Sequence, residues 1–160
     1  MKTQGGFTLV EILIVVVILG ILAAIVIPQF TSASTEAKES ALVSDLQAMR
    51  SQIELYKIHH DDQLPGTVSG VDFETAMTSK TNMAGEVGAT AAHRFGPYMR
   101  SIPVNPFCSL DPANTVDLDG TAGDDNAAWN FVTAAGVDQG LFQPDDSGTN
   151  AVTGVAHTDY

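Results

Sequence analysis

Between Ile12 and Ile27 the chain has no charged residue, and most positions are Ile, Val, Leu or Ala. Read as a helix rising about 1.5 Å per residue, the stretch from Phe7 to Phe30 is about 36 Å long, enough to cross a hydrocarbon core of about 30 Å. One feature is wrong for an ordinary anchor. Glu11 sits inside the apolar segment, where an ionised carboxylate is costly and usually marks a function. The stretch is therefore built for residence in a membrane and for a second task.

A helix of that length leaves about 130 of the residues for one small domain. The 44% hydrophobic content is concentrated near the start, and the remainder, rich in Gly, Ala, Thr and Asp, can bury only a modest core. A net charge of -12 argues against binding nucleic acid through its phosphates, which needs a basic face. Cys108 is the single cysteine, so no intrachain disulfide forms. An exported domain of this size then needs another support, such as a metal ion or neighbouring subunits. The start is not an ordinary secretory signal. Its apolar run exceeds the usual signal core, and Ala23-Ala24 is followed at once by more apolar residues. Lys2 precedes the span and the next basic residue is Lys38, which favours a cytoplasmic N-terminus and an extracytoplasmic domain.

Gly6-Phe7-Thr8-Leu9-Val10-Glu11, followed by the apolar run, resembles the class III signal of type IV pilins and type II secretion pseudopilins. The resemblance implies cleavage between Gly6 and Phe7 by a prepilin peptidase, which also methylates the new amino group of Phe7. A Gly at the cut lets the backbone enter a narrow protease site in an extended form. The resemblance also gives Glu11 a partner, the Phe7 amino group of a neighbouring subunit, so that the pair sets register during filament assembly. A buried polar residue fixing coiled-coil register is the nearest physical precedent. Gly20 and Pro28 weaken the helix and match positions where the family carries Gly and Pro. Two readings stand for them: partial melting on assembly, or a fixed kink.

Beyond the span, Leu42, Leu46, Met49, Ile53 and Tyr56 advance by three and four, one face of a helix. Ala33, Ala37 and Ala41 extend that face, while Glu36, Lys38, Glu39, Asp45, Arg50 and Glu54 are expected off it. One helix is thus predicted from about Thr8 to His60, ending in a solvated His59-His60-Asp61-Asp62 and the breaker Pro65-Gly66. Asp72 is placed to cap a short helix to about Thr78, with Phe73 and Met77 buried. A flexible stretch follows from Thr81 to His93. The segment from Phe95 to Phe107 carries two X-Pro bonds three residues apart, which enforce an extended path, with Phe95, Tyr98, Ile102 and Phe107 as anchors. It is similar to the corresponding Pro-rich pattern of major pseudopilins. Ala127–Thr133 and Gln139–Gln143 read as strands around a turn near Gly136, with Trp129, Phe131 and Phe142 facing the helix. The expected fold is α+β: a long helical spine, half transmembrane and half amphipathic, covered by a small domain with a short helix, extended loops and a small antiparallel sheet. The expected boundaries are a leader at 1–6, the assembly helix at 7–30, its amphipathic continuation at 31–62, the domain at 63–143 and a polar, mobile tail at 144–160.

The stretch from Asp117 to Asn126 places four carboxylates, Asp117, Asp119, Asp124 and Asp125, among glycines. Calcium takes six to eight oxygen ligands, and carboxylates mixed with carbonyls suit it. With Ala128 where an EF-hand has its bidentate Glu, the loop is not an EF-hand. It is more similar to the acidic loop of major pseudopilins, which implies calcium just before the tryptophan strand. A solvated acidic turn is the alternative. No catalytic constellation is present: His59, His60, His93 and His157 are scattered, and Cys108 has no evident base beside it.

Two readings follow from the resemblance. One is the major pseudopilin of a type II secretion system, a homopolymer built from the inner membrane with an assembly platform and minor pseudopilins. The other is a type IV pilin of a surface fibre for adhesion, motility or DNA uptake. The absence of a disulfide pair tilts the choice toward the first. A membrane-anchored enzyme or binding domain with a borrowed signal is a third reading, which the missing catalytic groups disfavour.

Overall fold

The computed structural model describes residues 6–118, 120–151 and 153–160. Helix α1 runs from Leu9 to His59, 51 residues without a break. It passes through Gly20 and Pro28, and the hydroxyls of Thr31 and Ser32 hydrogen-bond the Ile27 and Pro28 carbonyls four residues back. The chain divides into two compact units, one ending at Ala37 and one from Lys38 to Tyr160. In the first, the apolar residues of α1 are exposed all round.

In the second unit α1 becomes one-sided. Leu42, Leu46, Met49, Ile53 and Tyr56 are all at most 2% exposed, as the spacing predicts. Helix α2, Phe73–Thr78, is capped by Asp72, whose Oδ1 accepts from Thr75 N at 2.7 Å. Phe73, Ala76 and Met77 of α2 join the same core. The sheet is mixed rather than antiparallel. Strand β1, Val116–Asp117, pairs parallel with β2, Trp129–Phe131, and β2 pairs antiparallel with β3, Phe142–Pro144. Trp129, Phe131 and Phe142 are buried, and the Phe73 ring lies 5.0 Å from Phe131 and 5.7 Å from Phe142.

The Pro-rich segment earns its place through one hydrogen bond and one close approach. Pro103 O accepts from the Trp129 indole at 2.9 Å. Gly96 has φ +70°, and a Cβ there would lie 2.6 Å from Ser79 O, so only glycine fits. Of the four expected anchors, Ile102 is buried and Phe95, Tyr98 and Phe107 are half-buried.

Several expectations need correction. Glu39 is 6% exposed, not off the face, because it stands three residues before Leu42 and finds partners there. Ala33, Ala37 and Ala41 are exposed. His60 is fully buried, with Thr81 Oγ1 and the Tyr98 hydroxyl each 3.1 Å from its Nε2, so the helix end is not simply solvated. The stretch from Thr81 is tied down where Thr81 and Phe95 exchange two backbone hydrogen bonds. Residues 144–160 are not a mobile tail: Asp145, Asp146 and His157 are buried, and a 3-10 helix spans His157–Asp159. Asp145, Asp146 and His157 each have hydrogen-bond partners within the domain.

Candidate functional site

At the head of α1, Gly6 and Phe7 lie outside the helix and are exposed, Phe7 by 85%. Thr8 and Glu11 close a reciprocal cap. Glu11 Oε2 accepts from Thr8 N and from Thr8 Oγ1, both at 2.8 Å, and Thr8 Oγ1 accepts from Glu11 N at 3.2 Å. This is a capping box, which satisfies two of the orphan N–H groups that every helix start leaves. The carboxylate at the edge of the apolar run thus has partners within its own chain. The spacing Thr-x-x-Glu before an apolar run signals such a box directly, although the expectation for Glu11 concerned only a neighbouring subunit. Gly20 has open space around its Cβ position, and α1 is intact at both Gly20 and Pro28.

The carboxylates of the acidic loop go separate ways. Asp117 lies in β1, and its Oδ1 accepts from Leu118 N at 2.6 Å. Asp124 accepts from Asn126 N and Nδ2 at 3.2 and 2.9 Å. Asp125 accepts from Ser147 N and Oγ at 2.9 and 2.8 Å, bonds that hold its carboxyl below the usual range. Asp119 lies outside the described residues. Among the described residues no three His, Cys, Asp or Glu side chains form a cluster able to hold a metal.

The residue that organises this loop is Asp145, beyond the acidic stretch. Its two oxygens accept from Gly123 N and Ala127 N at 2.9 and 3.0 Å. Burial pushes its carboxyl up to about 6 against the pull of these two N–H groups, and the nearby Asp124 adds to the rise. Asn105 does comparable work in the Pro-rich segment. It is buried, donates to Ala128 O and Asp146 Oδ2 at 2.9 Å each, and accepts from Phe107 N at 2.9 Å. Asp145 did not announce itself by pattern, since a polar residue in a loop reads as solvated, whereas Asn105 lies within the Pro-rich pattern.

The first 27 residues match the prokaryotic N-terminal methylation motif. With α1 long and apolar enough to cross a membrane, this defines a prepilin-type, pilin-like filament subunit. Curated relatives extend the match over the domain. Type II secretion system core protein G of Aeromonas hydrophila is 34% identical over 81% of this chain and 95% of its own. The proteins of that name from Pseudomonas aeruginosa and Vibrio cholerae are 36% and 34% identical, covering 66% and 67% of this chain and 70% and 68% of theirs. The chain belongs to the core protein G family of type II secretion, the major pseudopilins. No solved structure matches it significantly.

Proposed function

We propose that the chain is the polymerising subunit of a type II secretion pseudopilus, a structural and not a catalytic role. It would be held in the inner membrane by residues 7–30, with its N-terminus cytoplasmic and its domain periplasmic. A prepilin peptidase would cut after Gly6 and methylate Phe7. An assembly platform and minor pseudopilins would then draw the subunit into a homopolymer. The observation that carries this reading is the helix surface from Leu9 to Phe30, exposed on every side and headed by Glu11. Apolar surface on this scale is stable only in lipid or against other copies. In this reading Glu11 leaves the Thr8 cap for a neighbour's amino group, and Gly20 and Pro28 let the helix loosen as it packs. Mass spectrometry and negative-stain microscopy of cells expressing the full chain with its secretion apparatus test the proposal together. Removal of residues 1–6, methylated Phe7 and short fibres are expected, and Glu11→Ala should be cut yet leave no fibres. Normal fibres from that variant would remove its register role. Long sheared surface fibres would favour a type IV pilin instead.

Calcium in the acidic loop is the second reading. Its support is the oxygen-only donor chemistry and a backbone that folds on itself at Gly120, Gly123 and Asp125, all at positive φ. Asp117, Asp124 and Asp125 would supply side-chain oxygens after a local rearrangement, with Asp145 as the buttress behind them. A ligand that binds only the folded state raises its stability. Chelation should therefore lower the thermal midpoint of the domain, and a midpoint unmoved by calcium would end this reading.

A further inference from the structure

His157 sits between two buried acids drawn from distant parts of the chain. Its Nε2 lies 3.2 Å from Glu39 Oε1 on α1, and its Nδ1 contacts Asp146 Oδ1 just past β3. Exposures are 1% for His157, 6% for Glu39 and 4% for Asp146. The remaining oxygens of both acids are also engaged. Glu39 Oε2 accepts from Asn150 Nδ2 at 3.1 Å and from the Tyr160 hydroxyl at 3.3 Å, and Asp146 Oδ2 accepts from Asn105. Ionised carboxylates only accept, and they face both ring nitrogens, so the arrangement is complete only when both nitrogens carry a proton. The other groups around the ring are the Phe107 face, 4.4 Å away with the Lys38 ammonium above it, and the Tyr160 ring at 5.9 Å. Farther along α1, Arg50 Nη1 donates to Tyr160 O at 2.7 Å and its Nε to Phe142 O at 2.9 Å.

We propose that residues 145–151 and 153–160 form a strap, closed by His157 clasped between Glu39 and Asp146, which fastens this segment to α1. It serves where a chain with one cysteine has no disulfide to join a terminal segment to its helix. The clasp is conformational in kind: His157 joins Asp146, 11 residues back within the strap, to Glu39, 118 residues back on α1, so the strap opens as a unit when the ring is lost. Removing one member leaves a buried charge without its partner, the costly half of a buried ion pair.

Nuclear magnetic resonance of the full chain in detergent micelles tests the clasp without substitution. Both His157 ring nitrogens should be hydrogen-bonded and shielded from solvent exchange, and a ring nitrogen open to solvent would overturn the proposal. Hydrogen exchange of His157→Gln supplies the second arm. The amides of Asn150, Gly154 and His157, bonded to Val155, Asn150 and Gly148 carbonyls, should exchange about tenfold faster or more. The amides of Trp129 and Phe131 should keep their protection. Unchanged exchange at the strap, or an equal loss throughout the domain, would overturn the strap. If the variant fails to fold, the ring spectrum of the unsubstituted chain decides alone.

Discussion

Residues 9–37 and 38–59 belong to one helix but dispose of their apolar surface differently. From Ile12 to Ile27 the large apolar side chains are all 42–64% exposed, so no face is privileged. From Glu39 to Tyr56 a single stripe is buried and the rest is mostly polar or small, Leu55 being an exposed exception. The first half carries its fold in local hydrogen bonds and depends on lipid or other copies for burial. The second half depends on the domain wrapped over it. The same backbone geometry thus serves two solvents, and side-chain pattern alone separates them.

The largest test of that difference is a pair of truncations. Trp129→Ala removes a wholly buried ring that stacks on Phe142 at 5.3 Å, and should destabilise the domain by about 3–5 kcal/mol. Leu19→Ala, at a 59% exposed site, should leave the thermal midpoint of the domain where it was. A clear fall in the midpoint for Leu19→Ala would mean that the two halves are not independent in stability. Asn105→Ala comes next. It removes the Asn105 donor from Asp146 Oδ2 and one of two donors from Ala128 O, with an expected loss of about 1–3 kcal/mol by denaturant unfolding.

Each of the two compact units also starts a helix with a side-chain cap, which permits a comparison. Asp72→Ala should cost the domain about 1 kcal/mol through the lost cap on α2. Thr8→Ala removes the corresponding cap on α1 and should leave the domain midpoint unchanged, its effect showing as faster exchange of the amides from Leu9 to Glu11. Equal shifts of the domain midpoint for the two variants would contradict the division.

These contrasts also explain what the amino-acid sequence made legible. The spine, the short helix with its Asp72 cap and the tryptophan strand follow from periodicity and end signals that act over a few residues. The N-terminal motif that includes Gly6, Phe7 and Glu11 was readable because its spacing is itself the signal. Strand β1 was not, because two residues in an acidic stretch carry no alternation and gain their structure from parallel pairing with β2. Glu39, Asp145 and His157 were missed for a common reason. A charged residue is expected in water unless its partner is known, and each partner here is at least 11 residues away. The capping box at Thr8 is different: its Thr-x-x-Glu signal is present in the sequence and gives Glu11 a partner within its own chain.

The smallest expected effects concern pH and are sought in the domain, since Ile12 to Ile27 contains nothing that titrates. Burial lowers His60 from its ordinary value, opposed by the Met83 carbonyl, and the neighbouring His59 adds to the fall. The unfolded chain therefore takes up a proton near pH 6.5 that the folded ring resists. The His60 contribution is present above that pH and is lost on acidification. Asp145 runs the other way. Its folded value of about 6 lies above the unfolded 3.8, so the folded state holds the proton more tightly. Its contribution is greatest below about pH 4 and declines as pH rises toward 6. Between pH 4 and 6 the two oppose each other, and the unsubstituted domain conceals both. Thermal midpoints of the full chain in detergent, without calcium, should separate them. Relative to the unsubstituted chain, Asp145→Asn should make stability rise more steeply with pH, and His60→Gln should make it rise less. Slopes that change in the same direction would show that one of these two side chains is not buried as described. A reversal at Asp145 alone on adding calcium would instead place a cation beside it.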